Sequence, residues 1–128
     1  MNDDSRLDDP TIPDDDRLFR RVRPNQLFRE EDGTLRPSSA VFKALELSVN
    51  IESLMVLQGR PAVDTLSGYP GDFLTAITAA RVRLHNHPIV KDTAHPNDPA
   101  HGIILGKKKD SFANDMTRNH EWVVAPTE

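Results

Sequence analysis

Four of the chain's five histidines fall within seventeen residues: His85, His87, His95 and His101, with Asp92 and Asp98 among them. Neutral imidazole is a common ligand of divalent metals, and two histidines spaced by one residue on an extended strand turn both rings to one side. A zinc site needs three or four such groups converging on one point. His85, His87, Asp98 and His101 are the set this segment can supply, and the chemistry would be metal-assisted hydrolysis with zinc as cofactor. The plainer expectation is a set of surface or hydrogen-bonded histidines with no shared ion and no cofactor.

Two basic clusters offer a different chemistry. Arg20, Arg21 and Arg23 follow Arg17 in a short extended segment, and Arg20 shares a face with Leu18 and Val22. A buried guanidinium calls for a carboxylate or a bound anion, so Arg20 is a candidate for binding a nucleotide or another phosphate ligand. Lys107, Lys108 and Lys109 follow Gly106 ahead of an expected helix, where backbone amides and positive charge favour anions. The spacing is not that of a P-loop: Gly102 to Gly106 is one residue short, and Lys108 stands where a hydroxyl is needed. The serines form no Gly-x-Ser-x-Gly elbow, and no catalytic residue is assigned.

One string carries a resemblance. His85-Asn86-His87-Pro88 resembles the His-x-His-Pro element of JAMM-type zinc hydrolases, and Asp98 stands eleven residues after His87. That family binds zinc through two histidines and a downstream aspartate, with an upstream glutamate handling the proton of the attacking water. The resemblance therefore implies His85, His87 and Asp98 as ligands. His95 occupies the place of the family's serine, and none of Glu30, Glu46 and Glu52 stands in the setting of its glutamate. Across the whole chain, the succession LFRRV, RPSSAVF, LSVNI, NDPAHG and ILGKKK looks like small uncharacterised bacterial proteins, which implies no activity. An arginine-bearing early strand followed by a serine-bearing one is loosely similar to ADP-ribosyltransferase-like folds. The acidic motif of that fold has no counterpart here, and no residues carry over.

The elements that must position these groups belong to a small domain. A chain of 128 residues with 37% hydrophobic residues makes one modest core. No apolar run is long enough to span a membrane, and the acidic start lacks the apolar region of a secretory signal. With no cysteine, disulfides, thiolate zinc fingers and thiol nucleophiles are excluded, which fits a cytoplasmic protein. The net charge of −4 argues against a generic nucleic-acid binder. That charge is uneven: residues 1–16 hold seven aspartates against one arginine, whereas residues 17–128 carry 13 acidic and 15 basic residues. The first sixteen residues, with Pro10 and Pro13 and few apolar groups, are expected as a disordered acidic tail. Residues 17–128 are expected as the single folded domain.

Within it, alternation predicts strands at 18–23 and 47–51, the latter turning Leu47, Val49 and Ile51 to one face. Residues 31–34 form a turn, and short helical segments follow near 40–45 and 62–66. The stretch 73–84 fits both periods, and a strand over 73–78 with a helical turn after it fits best. Further strands are expected at 88–91, 102–106 and 121–124, with Trp122 in the core. The loop 93–102 is long for such a domain. A helix capped by Asp110 or Ser111 carries Phe112, Asp115, Met116 and Asn119. Short strands and helices in irregular order argue for α+β, with a mixed or antiparallel sheet. The function expected from all of this is a non-catalytic interaction or accessory module of a bacterial cytosolic assembly, docking a protein partner. A small metal-dependent hydrolase and a nucleotide- or phosphate-binding domain are the two alternatives.

Overall fold

The computed structural model describes residues 7–92 and 98–127. The fold is α+β. Six strands form one sheet: β1 (Arg17–Val22), β4 (Glu46–Ile51), β5 (Phe73–Thr78), β6 (Ile89–Lys91), β7 (His101–Leu105) and β8 (Glu121–Val124). Their spatial order is β6-β7-β4-β1-β5-β8, and every neighbouring pair is antiparallel. A separate hairpin joins β2 (Leu27–Arg29) to β3 (Leu35–Pro37) through the Asp32-Gly33 turn. The helices are α1 (Glu52–Leu57), α2 (Ala79–Arg83) and α3 (Asp110–Asn119), with 3-10 turns at Pro24–Gln26, Ser39–Phe42 and Ala62–Leu66. Among the described residues no helix is long and apolar enough to cross a membrane.

The period-two alternation sorts the sheet into two faces. Leu18, Val22, Leu47, Val49, Ile51, Ile77 and Ile104 belong to one face and join Phe112, Ala113 and Met116 of α3, Val41 and Phe42, and Val82 of α2 in the main core. The other face carries a second cluster of Phe19, Met55, Leu74, Ala76 and Ala100, and a third of Val90, Ile103 and Leu105. Gly102 is required in β7 by close packing: a Cβ there would lie 2.6 Å from Ile51 Cδ1.

The acidic N-terminal segment departs from expectation. Residues 7–16, grouped by composition with a disordered tail, lie against the domain. Ile12 is 1% exposed and Asp16 5%. The Asp9 amide donates to the Ile89 carbonyl at 2.9 Å, and the Asp8 carboxylate accepts from the Ile89 amide at 2.9 Å, so the segment covers the outer edge of β6. Arg83 clamps it through Asp8, Asp14 and the Asp9 carbonyl. Composition counts charges but cannot see that these carboxylates have fixed donors and that one isoleucine reaches the core. The folded domain therefore starts before Arg17. Residues 1–6 of the expected tail lie outside the described residues.

Most predicted strands stand within a residue or two of their expected bounds, and the strand-then-helix assignment of 73–83 holds. The segment after Pro37 is a 3-10 turn over Ser39–Phe42 rather than a longer helix. α3 begins after Lys109 with no side-chain cap, and Asp110 pairs with Lys43 at 2.6 Å instead. Trp122 is half-buried, edge-on to Phe73 and donating its indole N–H to the Leu35 carbonyl.

Candidate functional site

The second face of the sheet supplies the site. Register aligns Asp92, His101, Asn50 and Phe19 in one row across β6, β7, β4 and β1, because His101 pairs with Asn50 and Asn50 with Phe19. Asp92 continues the row, its amide donating to the His101 carbonyl at 2.8 Å. One step along, Ile103 faces Ser48, and Arg21 faces Leu74. Between the two apolar clusters of this face lies a cleft of about 180 Å³, lined in part by Arg21, Ser48, Asn50, Thr65, Tyr69 and His101. Side chains from three strands thus meet groups from the 3-10 turn Ala62–Leu66 and the loop after it.

Each polar group has a definite setting. The Arg21 guanidinium lies 3.4 Å from the centre of the Tyr69 ring, a cation–π stack, and its nearest carboxylate, Asp72, is 3.8 Å away. That distance is beyond hydrogen-bonding range, so the pairing is loose and the planar fork of donors is not closed by a carboxylate. Asn50 is buried, and its amide donates to Thr65 Oγ at 3.1 Å, which leaves the carbonyl oxygen as an acceptor. Ser48 is exposed on the face opposite Leu47 and Val49. The His101 Nδ1 contacts Asp92 Oδ2 at 2.9 Å. Asp98 closes one end, accepting from Arg60 at 3.2 Å and from the Ala100 amide at 3.1 Å.

The expected metal set is not brought together. His87 bonds the Leu105 carbonyl through Nδ1 at 2.9 Å and packs edge-on to Phe112, at one end of β7 beside the main core. His101 begins the same strand, four residues away, or roughly 13 Å along an antiparallel strand. His85 is held by Asp115 of α3 at 2.7 Å, and Asp98 by Arg60. Each of the four has its own partner, and among the described residues no group of three His, Cys, Asp or Glu is placed to hold a metal ion. The spacing of histidines in sequence says nothing of the turn at Asn86, whose φ of +62° redirects the chain between His85 and His87. His95 and the rest of residues 93–97, the first half of the loop 93–102, lie outside the described residues.

The basic candidates separate as well. Arg20 is largely buried, as its place beside Leu18 and Val22 predicts, but no carboxylate among the described residues pairs with it. Its Nε donates to the Val41 carbonyl at 3.2 Å and its NH1 to the Ser48 carbonyl at 3.1 Å. Burial, with help from Arg21 and Arg23, lowers its pKa to about 10. It stitches the 3-10 turn at Val41 to β4. Arg23 is exposed at the end of β1. Lys107 and Lys109 are exposed, whereas Lys108 is buried and turned onto backbone carbonyls. The three amines therefore do not form one anion patch. Of the predicted binding residues, Arg20 and Arg21 line the cleft; Arg20 is committed to the Val41 and Ser48 carbonyls, and Arg21 stacks on Tyr69.

Tyr69, Thr65 and Asn50 were not foreseen as site residues. The alternation that buries Leu47, Val49 and Ile51 already turns Ser48 and Asn50 to the other face together, which is a usable signal. Nothing local signals that residues 65–72 return to lie over them. Comparison with known protein families, with curated proteins and with solved structures finds no match, so the geometry alone carries the functional argument.

Proposed function

We propose that this domain is a binding module without a complete catalytic centre, and that the cleft over β1, β4 and β7 takes a small anionic ligand. The observation that carries this reading is Arg21: a guanidinium stacked on Tyr69 and held only loosely by Asp72, beside the hydrogen-bonding groups of Ser48, Asn50 and Thr65, with Asp98 at one end engaged by Arg60. Arginine in that state is suited to a phosphate or carboxylate, which it can meet through two parallel N–H donors. Ser48 and the Asn50 carbonyl would contact hydroxyl groups beside the anion. At about 180 Å³ the cleft is smaller than the 300–1,000 Å³ typical of drug-sized pockets, so the ligand is a small phosphorylated or carboxylated molecule, or the phosphate end of a nucleotide. We place the protein in the cytoplasm, on the strength of its cysteine-free composition. Thermal melting in the presence of inorganic phosphate, sugar phosphates, nucleotides and dicarboxylates tests the reading. A ligand at a hundred times its dissociation constant adds about 2.7 kcal/mol, and that gain is expected to vanish in Arg21→Ala. No shift with any of these anions overturns it.

A second reading, a protein-docking module, is favoured by a different observation. Val56 and Leu57 on α1 and Val63 just beyond it are 69%, 82% and 51% exposed, three large apolar groups within eight residues. Exposed apolar groups that gather into one patch mark interaction sites. A complex recovered from native cells that survives in Leu57→Asp counts against this surface.

A further inference from the structure

Lys108 is the only lysine or arginine buried among the described residues, at 6% exposure, and neither the cleft nor the core accounts for it. Its Nζ donates to four backbone carbonyls: Ala44 at 3.0 Å, Leu45 at 3.1 Å, Ile104 at 2.8 Å and Gly106 at 2.6 Å. Two of these oxygens belong to the loop before β4 and two to the end of β7. Gly106 has a φ of +101°, a left-handed conformation open to glycine, and a Cβ there would press on the His87 ring at 3.1 Å. An ammonium has three N–H donors, so four converging oxygens exceed what it can bond in straight lines. They address a compact positive charge rather than three directed donors. Carbonyl oxygens grouped in this way replace the hydration shell of potassium in ion filters, and free ammonium is close to potassium in size.

We propose that the corner where β7 runs toward α3 is a monovalent-cation site, filled in this chain by the tethered ammonium of Lys108, and that shortening this side chain opens it to free ammonium or potassium. The site is distinct from the anion cleft and does not rest on it. Burial lowers the Lys108 pKa to about 8, while the four oxygens favour the protonated form. The group is thus charged at neutral pH and acts as a cationic rivet between two loops. Removing it leaves four carbonyl dipoles pointing at a void, which is unfavourable unless a cation enters.

The test uses the full chain. Lys108→Ala is melted in ammonium, potassium and choline chloride at equal ionic strength. The expected result is a Tm at least about 3 °C higher in ammonium or potassium than in choline, with no such difference in the unsubstituted protein. Equal melting of the variant in all three salts, or failure to fold in any of them, overturns the proposal. A second measurement does not depend on the variant folding. In the unsubstituted protein the Lys108 ammonium is expected to give a slowly exchanging NMR resonance at pH 7, and a neutral or freely exchanging amine overturns the proposal by itself.

Discussion

The two faces of the sheet are made from the same strands and do opposite things. On one, Leu18, Val22, Leu47, Val49, Ile51, Ile77 and Ile104 meet α3, α2 and the 3-10 turn at Val41-Phe42, and the face is sealed. On the other, the apolar residues break into two clusters, and Ser48, Asn50, Arg21 and His101 occupy the ground between. In β4 the division is made residue by residue: Leu47, Val49 and Ile51 point one way and Ser48 and Asn50 the other. The contrast teaches that a single strand can seal the core with one side and present polar groups on the other. A change on one side should therefore leave the other intact.

The largest expected effect lies on the sealed face. Phe112 is 1% exposed between His85, His87 and the main core, so Phe112→Ala should cost about 3–5 kcal/mol. That is a large share of the stability of a domain this size. Ser48→Ala on the cleft face should stay within about 0.5 kcal/mol. Urea denaturation followed by circular dichroism compares the two, and comparable losses would break the distinction between the faces.

Asp16 sharpens the comparison at the edge of the core. Its carboxylate accepts from the Ser53 amide at 3.0 Å and the Ser53 hydroxyl at 2.6 Å, so it caps α1 across 37 residues of sequence. Asp16→Ala should cost about 1–3 kcal/mol, because buried donors lose their partner. The adjacent, exposed Asp15→Ala should cost almost nothing. Chemical denaturation of the pair reads the difference.

Acid should weaken the side chains around the sealed face first. Burial lowers the His87 pKa below 6.5, with smaller contributions from Lys108 and His85, and burial lowers that of His120, with Arg36 adding to it. Between those folded values and about 6.5 the unfolded chain binds more protons than the folded one. Their stabilisation is therefore complete above pH 6.5 and declines as the pH falls toward the folded values. Melting curves between pH 7.5 and 5 should show this slope, and His120→Gln should flatten it. A Tm independent of pH over that range would remove these two groups as its source.

A modest effect belongs to the N-terminal strap. Arg83 bonds Asp14 at 2.7 Å and Asp8 at 3.2 Å, both partly exposed. Arg83→Gln should lower stability by about 0.5–1 kcal/mol, and less at high salt. Hydrogen exchange at the Asp9 amide would report release of the segment from β6. Unchanged protection would show that Ile12 and the bonds to Ile89 hold it without Arg83.

Local patterns in the chain determined a good deal. The alternation in 18–22 and 47–51 fixed which residues share a face, because side chains of a strand point to opposite sides in turn. Glycines and prolines marked most boundaries. The hairpin strands β2 and β3 escaped notice because they are three residues each, with no alternation to read. α1 escaped because it follows β4 directly and its cap, Asp16, comes from far away in the chain.

What the tertiary structure decided was the fate of the charged groups. From sequence, Lys107, Lys108 and Lys109 are equivalent, and Arg20 rather than Arg21 stands out as the buried candidate. Only the packing of the loop before β4 against the end of β7 turns Lys108 inward, and only the arrival of Tyr69 over β1 gives Arg21 its stacking partner. His85, His87, Asp98 and His101 separated for the same reason. Proximity along the chain is local, whereas convergence on a point depends on which strands become neighbours, and that is settled by burying the whole apolar face at once.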